Sequence, residues 1–459
     1  MNIQGEPKGR GLRVAIYDAP NTVGKTLSAV LSAGGFNVQY CGKLNEETAR
    51  PDADLWLTKW SFNLKSEFLR KAHPKLGIIS LSVGTDHIDL SAAKELGLRV
   101  ENCPTFSSNS VAEHAMALAL RGIYGSSLLP PLGQGPVIFD EFSDHFAEQA
   151  VAQMLMRNRQ LDQSIARAVR YDYERHDEPW ENMELAKSKI LFIGDERPAF
   201  NLAKMLRLGF NCDLYGYRTS EALEAYDIEQ LNPETFRDLS SSMDYVFILS
   251  RMSERVSGLK VQKDQWLAEP DRGMAESLVA VLGTGRIGSK IARIMREGFN
   301  CRVVAFDENR KNELENLGVR YVDFSKESRV DSLREALSRA NFIFIALPLN
   351  EGTLSLIGQA QLSGMTAGIS RVLVNVTRDK IIDSEALFDA ISRGHLLAYA
   401  TDVLPNDAIL WRGGEPDDMT RKFVQHSGVI ATPHEGDCSR QSLERLCQEV
   451  LGRISDISR

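Results

Sequence analysis

The sequence predicts an α/β protein built on parallel sheets, and three observations predict it. Short apolar runs alternate with amphipathic stretches along almost the whole chain, the pattern of strands joined by crossover helices. A glycine-rich turn, Gly283-Thr284-Gly285-Arg286-Ile287-Gly288, stands between one such run and a helical stretch. The segment ILFIGDERPAFNLAKMLRLGFNC (190–212) returns as VAVLGTGRIGSKIARIMREGFNC (279–301), with eight identities in nineteen gap-free positions from Gly194/Gly283 to Cys212/Cys301.

At 459 residues the chain has room for about two or three domains, each with its own core. Its 43% hydrophobic and 25% charged residues are ordinary for a globular protein. A net charge of −8, without a block of like charge, gives no reason to expect nucleic acid or an anionic membrane as partner. The six cysteines (41, 103, 212, 301, 438, 447) form neither a CxxC pair nor a zinc-type spacing. That predicts a reduced, cytoplasmic setting with no disulfide framework and no metal site. The N-terminus lacks the apolar region of a signal peptide, and no apolar run approaches membrane-spanning length.

The elements follow in order. LRVAIYD (12–18), FNVQYCG, ADLWLTK, KLGIISLS and LRVENC read as strands with helices between them, a compact α/β domain over 1–108. SVAEHAMALALRGIYG (110–125) is a helix with Ser110 as a candidate cap, and GSSLLPPLGQGP (125–136) is a linker, so 109–136 connects two units. FSDHFAEQAVAQMLM (142–156) resembles SSNSVAEHAMALAL (107–120) and leads into a long charged helix whose Met and Leu stripe is core. YVFILSRMSERVSGL (245–259) likewise parallels FIFIALPLNEGTLSLI (342–357). This fixed order marks 137–276 as an inserted, partial duplicate of the unit at 277–436. The strands LVAVLG, CRVVAFD, RYVDF, FIFIALP, RVLVNV, LAYATDV and VIATPH suffice for a doubly wound Rossmann-type sheet, and 437–459 is one amphipathic helix.

The glycine turn carries chemistry. Gly283 permits the tight turn, Gly285 lets a pyrophosphate approach the backbone, and Gly288 lets helix and strand pack closely. Asp307, nineteen residues after Gly288 at the end of VVAFD, is placed to bond an adenosine ribose 2′-hydroxyl and repel a 2′-phosphate, so NAD is favoured over NADP. In the duplicate, Asp195, Glu196 and Pro198 replace Thr284, Gly285 and Ile287, and Arg218 replaces Asp307. Two carboxylates repel a pyrophosphate and side chains block its approach, so the duplicate is read as a structural copy without cofactor.

SVGTDHIDLSAAKELGLRVENCP, SVAEHAMALAL, VLGTGRIG, ALPLNEGT, NVTRDKIIDSEAL, ATDV and ATPHEGD resemble, in order, the motifs of the D-isomer-specific 2-hydroxyacid dehydrogenases. The resemblance spans most of the chain except about 125–277. It implies a flavodoxin-like substrate domain made from the N-terminal residues and completed by the C-terminal helix 437–459. The NAD-binding domain would lie between these parts, with the active site in the cleft. Carried over by motif, Arg378 binds the substrate carboxylate and carbonyl oxygen, a task suited to a planar guanidinium. His434 is the general acid/base. Asp402 meets the nicotinamide carboxamide, and Gly283, Gly285, Arg286, Ile287, Gly288, Asp307, Leu347, Pro348 and Val376 form the rest of the cofactor site. Val83, Gly84 and Thr85 hold the substrate carboxylate, while Lys59 and Trp60 shape the pocket.

The chain also departs from the family pattern. Where the family has a glutamate paired with the histidine, this chain has Asp407, with Glu415 as the competing candidate. Asp379 follows Arg378 in place of a glycine, and Glu435 follows the histidine in place of an apolar residue. Both are expected to add negative charge near an anionic substrate. His87 and His114 are expected to be structural or surface residues. The implied function is NAD-dependent hydride transfer to or from C2 of a small 2-oxo/2-hydroxy acid. The alternative is an NAD(H)-binding regulatory or scaffolding protein with impaired catalysis. Family members pair through their cofactor domains, so the expected assembly is a homodimer or an internal pseudo-dimer in which the duplicate takes the partner's place.

Overall fold

The structure is a computed structural model that describes residues 11–124, 137–138, 146–169, 183–193, 197–217, 219, 225–239, 242–248, 274, 277–322, 329–365 and 371–458. Three parallel sheets organise it. The first holds β1 (Arg13–Tyr17), β2 (Asn37–Gly42), β3 (Leu55–Thr58), β4 (Gly77–Ser80) and β5 (Arg99–Asn102) in the order β2-β1-β3-β4-β5. β3 and β4 are buried throughout, as continuous apolar runs covered on both faces should be. The C-terminal helix Arg440–Ile457 lays Leu443, Leu446, Val450 and Ile454 against Val14, Ile16, Leu27 and Ile79 of this domain. Chain end and chain start therefore share one core.

The third sheet is the largest. It holds β11 (Leu278–Leu282), β12 (Arg302–Phe306), β13 (Arg320–Tyr321), β14 (Phe342–Ile345), β15 (Val372–Asn375), β16 (Ala398–Thr401) and β17 (Val429–Ala431). Their order is β13-β12-β11-β14-β15-β16-β17. The strand order reverses between β11 and β14, and such a switch point is where an open α/β sheet presents its ligand crevice.

Between them in sequence lies the second sheet, with β6 (Val137–Ile138), β7 (Lys189–Ile193), β8 (Asp213–Tyr217), β9 (Glu229–Gln230) and β10 (Tyr245–Ile248) in the order β6-β10-β7-β8-β9. At several described positions its local geometry repeats that of the third sheet. Helix Arg197–Lys204 ends in a π-helical turn, Met205–Gly209, as helix Arg286–Arg293 ends in Ile294–Gly298. Asn211 and Asn300 both take left-handed φ, 55° and 54°. The Cys212 thiol faces the Leu185 carbonyl as the Cys301 thiol faces that of Met274, at 3.3 and 3.2 Å. The Lys189 amide bonds Asp244 as the Leu278 amide bonds Asn341.

The two π-turns cross each other. A Cβ on Gly209 would lie 3.3 Å from Cα of Gly298, and one on Gly298 would lie 3.2 Å from Cα of Gly209. Phe210 and Phe299 meet edge to face beside them. The carboxylates of the two related helices exchange places across this contact. Glu113, on helix Ser108–Tyr124, accepts the amides of Leu185 and Ala186 before β7. Glu148, on helix Phe146–Asn158, accepts the amide of Met274 before β11. One apolar core fills the space, running from Ala115 and Leu118 through Val151 and Phe192 to Val281 and Phe299.

The charged stretch expected to follow residue 156 as one long helix is, among the described residues, helix Leu161–Val169, set off from helix Phe146–Asn158 by Gln160 with φ 45°. A left-handed non-glycine residue ends a helix but leaves no mark in an amphipathic pattern. The linker reading for 125–136, the duplicate's Gly194, Asp195 and Glu196, the Pro198 side chain and Arg218 lie outside the described residues. Among the described residues no helix is long and apolar enough to cross a membrane.

Candidate active site

The glycine turn has the shape that its composition predicts. Gly283 sits at φ +90°, where an added Cβ would press on the Ala346 carbonyl at 2.6 Å; a Cβ on Gly288 would fall 1.8 Å from the Gly283 carbonyl. Gly285, in contrast, faces open space and caps helix Arg286–Arg293. Bare backbone and a helix N-terminus thus meet where a pyrophosphate needs them. The Asp307 carboxylate closes the other side of the turn, accepting the Thr284 amide at 2.5 Å and its hydroxyl at 3.0 Å. Leu347 packs against Gly283, Pro348 holds Thr353 through its carbonyl, Val376 is buried, and Arg286 is exposed on the helix's first turn. The residues present fit a dinucleotide.

At the C-terminal edge of the same sheet, four side chains come together. His434 follows β17, and its Nδ1 meets Asp407 at 2.6 Å. Asp407 opens helix Asp407–Trp411, with Trp411 one turn on, so carboxylate and indole share a helix face. Trp60, at the end of β3 in the first domain, stacks on the imidazole with ring centroids 4.2 Å apart and planes 19° apart. Trp411 completes the enclosure at 6.1 Å from the imidazole and 5.5 Å from Trp60. Of the two candidate acids, Asp407 faces the histidine, whereas Glu415 is exposed and faces Arg421.

Arg378 follows β15. Its Nε and one terminal nitrogen engage Asp86 at 3.0 and 3.1 Å, and the other terminal nitrogen donates to the Thr377 carbonyl. Burial weakens the guanidinium's hold on its proton, but Asp86 outweighs this and keeps its pKa above the ordinary arginine value. Asp86 responds in the opposite sense: burial raises its carboxyl, and Arg378 draws it below the usual range. The Val83-Gly84-Thr85 backbone runs beside this pair, and a Cβ on Gly84 would stand 3.5 Å from the guanidinium. Lys59 is buried and paired to Asp437 at 3.1 Å. Burial opposes its charge, while Asp437 and neighbouring anions restore it and hold its pKa above the ordinary lysine value.

One of the two expectations about charge is corrected. Glu435 does not face the cleft; it is 1% exposed, and its carboxylate receives Arg167 at 2.7 Å and the Ser164 hydroxyl at 2.7 Å. Asp379 accepts the Asn406 amide, and its carboxyl is raised by burial and by nearby Asp407, but its charge still reaches Arg378, as expected. Asp402 has work inside the protein. Its oxygens accept the amides of Glu435 and Gly436 and the Thr432 hydroxyl, with His114 Nε2 at 3.3 Å. Burial alone would raise its carboxyl, but His114 above all, with His434 and the Thr432 hydroxyl, holds it far below the ordinary range. His114 is fully buried, as a structural histidine should be. His87 is buried too, and burial lowers its pKa to about 4.

Sequence reasoning missed Asp86, Trp411, Arg159 and Arg167. The first two had a signal: Asp86 lies in the GTDHID motif, and Trp411 lies one helical turn from Asp407. Among the described residues no cluster of three ligating side chains suits a metal ion.

Comparison with known proteins bears on this geometry. Residues 247–436 match the model of the D-isomer specific 2-hydroxyacid dehydrogenase NAD binding domain. The 2-hydroxyacid dehydrogenase homolog 2 of Schizosaccharomyces pombe is 25% identical over 285 residues, 59% of this chain and 82% of that protein. The match to the NAD binding domain model takes in the part of the chain that carries the glycine turn, Arg378 and His434. The glyoxylate reductase of Korarchaeum cryptofilum is 31% identical over 177 residues, 38% of this chain and 47% of that enzyme. The fold is shared with the D-lactate dehydrogenase of Aquifex aeolicus solved with NAD and lactic acid. That likeness has a TM-score of 0.56 at 21% identity and covers 96% of this chain and 94% of that one. The β11–β17 unit is thus the family's NAD-binding domain, with the glycine turn on its crevice edge.

Proposed function

We propose that the chain is an NAD-dependent oxidoreductase that interconverts a small 2-oxo acid and its 2-hydroxy acid. The observation that carries this reading is the His434–Asp407 pair at 2.6 Å, enclosed by Trp60 and Trp411 on the same sheet edge as Arg378. NADH, when bound, supplies the hydride that reduces C2. Gly283, Gly285 and Gly288 admit its pyrophosphate, and Asp307 holds the ribose. Arg378 anchors the substrate's carboxylate and carbonyl oxygen against the Val83-Gly84-Thr85 backbone; the carboxylate displaces or shares the fork now on Asp86. With Nδ1 committed to Asp407, Nε2 of His434 is the nitrogen that delivers the proton to the carbonyl oxygen and recovers it in the reverse direction. The indoles exclude water from that exchange. Relatives named as a glyoxylate reductase and a 2-hydroxyacid dehydrogenase homolog support the substrate class.

A second reading, NAD(H) binding with impaired catalysis, is motivated by the bidentate hold of Asp86 on Arg378. One experiment separates the two. NADH is mixed with a panel of 2-oxo acids while cofactor absorbance is followed, with wild type and His434→Ala side by side. The oxidoreductase reading predicts oxidation of NADH by wild type and its loss in the variant. Undiminished turnover by His434→Ala would remove the histidine from the mechanism, and NADH binding without turnover of any acid would favour the second reading.

A further inference from the structure

We propose that the inserted repeat positions the proton-transfer turn. Arg159 and Arg167, both carried by the repeat, clamp residues 435–436 and so fix His434. The proposal rests on the oxidoreductase reading for the role of His434. Neither arginine faces substrate; both are positioning residues.

His434 is held at φ 53°, a left-handed conformation that a non-glycine side chain keeps only where its surroundings impose it. The two peptide units that follow are bonded on both edges. On one edge, the amides of Glu435 and Gly436 donate to Asp402 at 2.8 and 2.7 Å. On the other, their carbonyls accept from one nitrogen of Arg159 at 3.0 and 2.9 Å. Arg159 is fully buried; it also donates to the Ser110 hydroxyl at 2.8 Å, and that hydroxyl donates to the Gly436 carbonyl at 2.7 Å. A guanidinium so enclosed makes a rigid template, because its donors are fixed in one plane.

The side chain of Glu435 supplies a second hold. A carboxylate this buried is tolerated only when paired, and its partners, Arg167 and Ser164, both lie on helix Leu161–Val169 of the repeat. A third hold lies further along. Glu184, just before β7, accepts the Ser439 hydroxyl at 3.0 Å and pairs with Arg445. The whole stretch after the histidine is thus fastened to the repeat, while Asp437 between these points reaches back to Lys59. Glu435, which looks misplaced beside an anionic substrate when the sequence alone is read, is explained as the repeat's anchor.

The test uses the full-length chain and the variants Arg167→Gln, Arg167→Lys and Ser164→Ala, each first checked for cooperative thermal unfolding. NADH affinity is measured by calorimetry, kcat and KM by steady-state assay across pH, and the His434 ring by NMR, its signals assigned from their loss in His434→Ala. In Arg167→Gln the proposal expects NADH affinity within about twofold of wild type, a fall in kcat of about tenfold to a hundredfold, and KM changed far less. It also expects an altered pH–rate profile and shifted His434 signals, with Arg167→Lys recovering most of the loss. A folded Arg167→Gln with kcat, pH profile and His434 signals unchanged overturns the proposal. If Arg167→Gln does not fold, Ser164→Ala gives the same readings on a milder change, and the same outcomes decide. If wild type turns over no acid, the oxidoreductase reading fails by itself. The NMR comparison then decides the clamp: shifted signals support it, and unmoved signals overturn it.

Discussion

Asp407 is shorter by one methylene than the acid the family pattern supplies, yet it reaches His434. It begins a helix after a left-handed Asn406, and this brings the carboxylate within 2.6 Å of His434. Asp407→Asn is predicted to lower kcat by about a hundredfold or more, the range for losing assistance to a general acid/base. Glu415→Gln should leave kcat unchanged; equal losses in the two variants would contradict the pairing. Asp307 makes a second prediction at this scale. Asp307→Ser removes the charge at the ribose edge of the glycine turn and is expected to narrow the ratio of kcat/KM for NADH over NADPH. A ratio unchanged from wild type would mean that this carboxylate serves only Thr284. The shape of the glycine turn was legible because local spacing carries it, and motif order brought Arg378 and His434 to one sheet edge. Glu435 was misread because its partner Arg167 lies 268 positions away in sequence. No local pattern reports a pairing of that span.

At the scale of elements, the crossed carboxylates of helices Ser108–Tyr124 and Phe146–Asn158 make a measurable prediction. Glu113 is pushed up to about 8, first by burial and then by nearby Glu184, against the pull of the Leu185 and Ala186 amides. Between its ordinary 4.5 and about 8, the native chain retains a proton that the unfolded chain has released. The unfolded state binds fewer protons there, so this group makes stability fall as pH rises through that window. Glu113→Gln cannot titrate. Its unfolding midpoint, followed by calorimetry from pH 4.5 to 8, should decline less steeply than that of wild type; identical slopes would show that Glu113 is ionised throughout. The strands themselves were legible as alternating apolar runs. The break at Gln160 and the crossing of the two π-turns were not, since both depend on backbone dihedrals and tertiary contact. The GFNC repeat did mark its place: Gly209 and Gly298 are the residues that let the turns touch.

For the whole molecule, the repeat and the cofactor domain meet through matched elements within one chain. β9-β8-β7-β10-β6 lines up against β13-β12-β11-β14-β15, with Gly209 on Gly298 and the two glutamates exchanged. An apolar surface of this kind is already covered from inside, so light scattering on the full chain is expected to return the mass of one chain. A stable dimer formed through the β11–β17 domain would contradict the internal pseudo-dimer. The sequence carried the duplication and its lost glycines; it did not carry the contact between copies, which only folding brings about. Hydride transfer from NADH to C2 leaves an isotopic trace. NADH bearing deuterium at its transferable position is incubated with the full chain and a 2-oxo acid, and the hydroxy acid is examined by mass spectrometry and proton NMR. One deuterium on C2 of the product is the predicted result; a product without deuterium at C2, or no product from any acid with NADH bound, would contradict it.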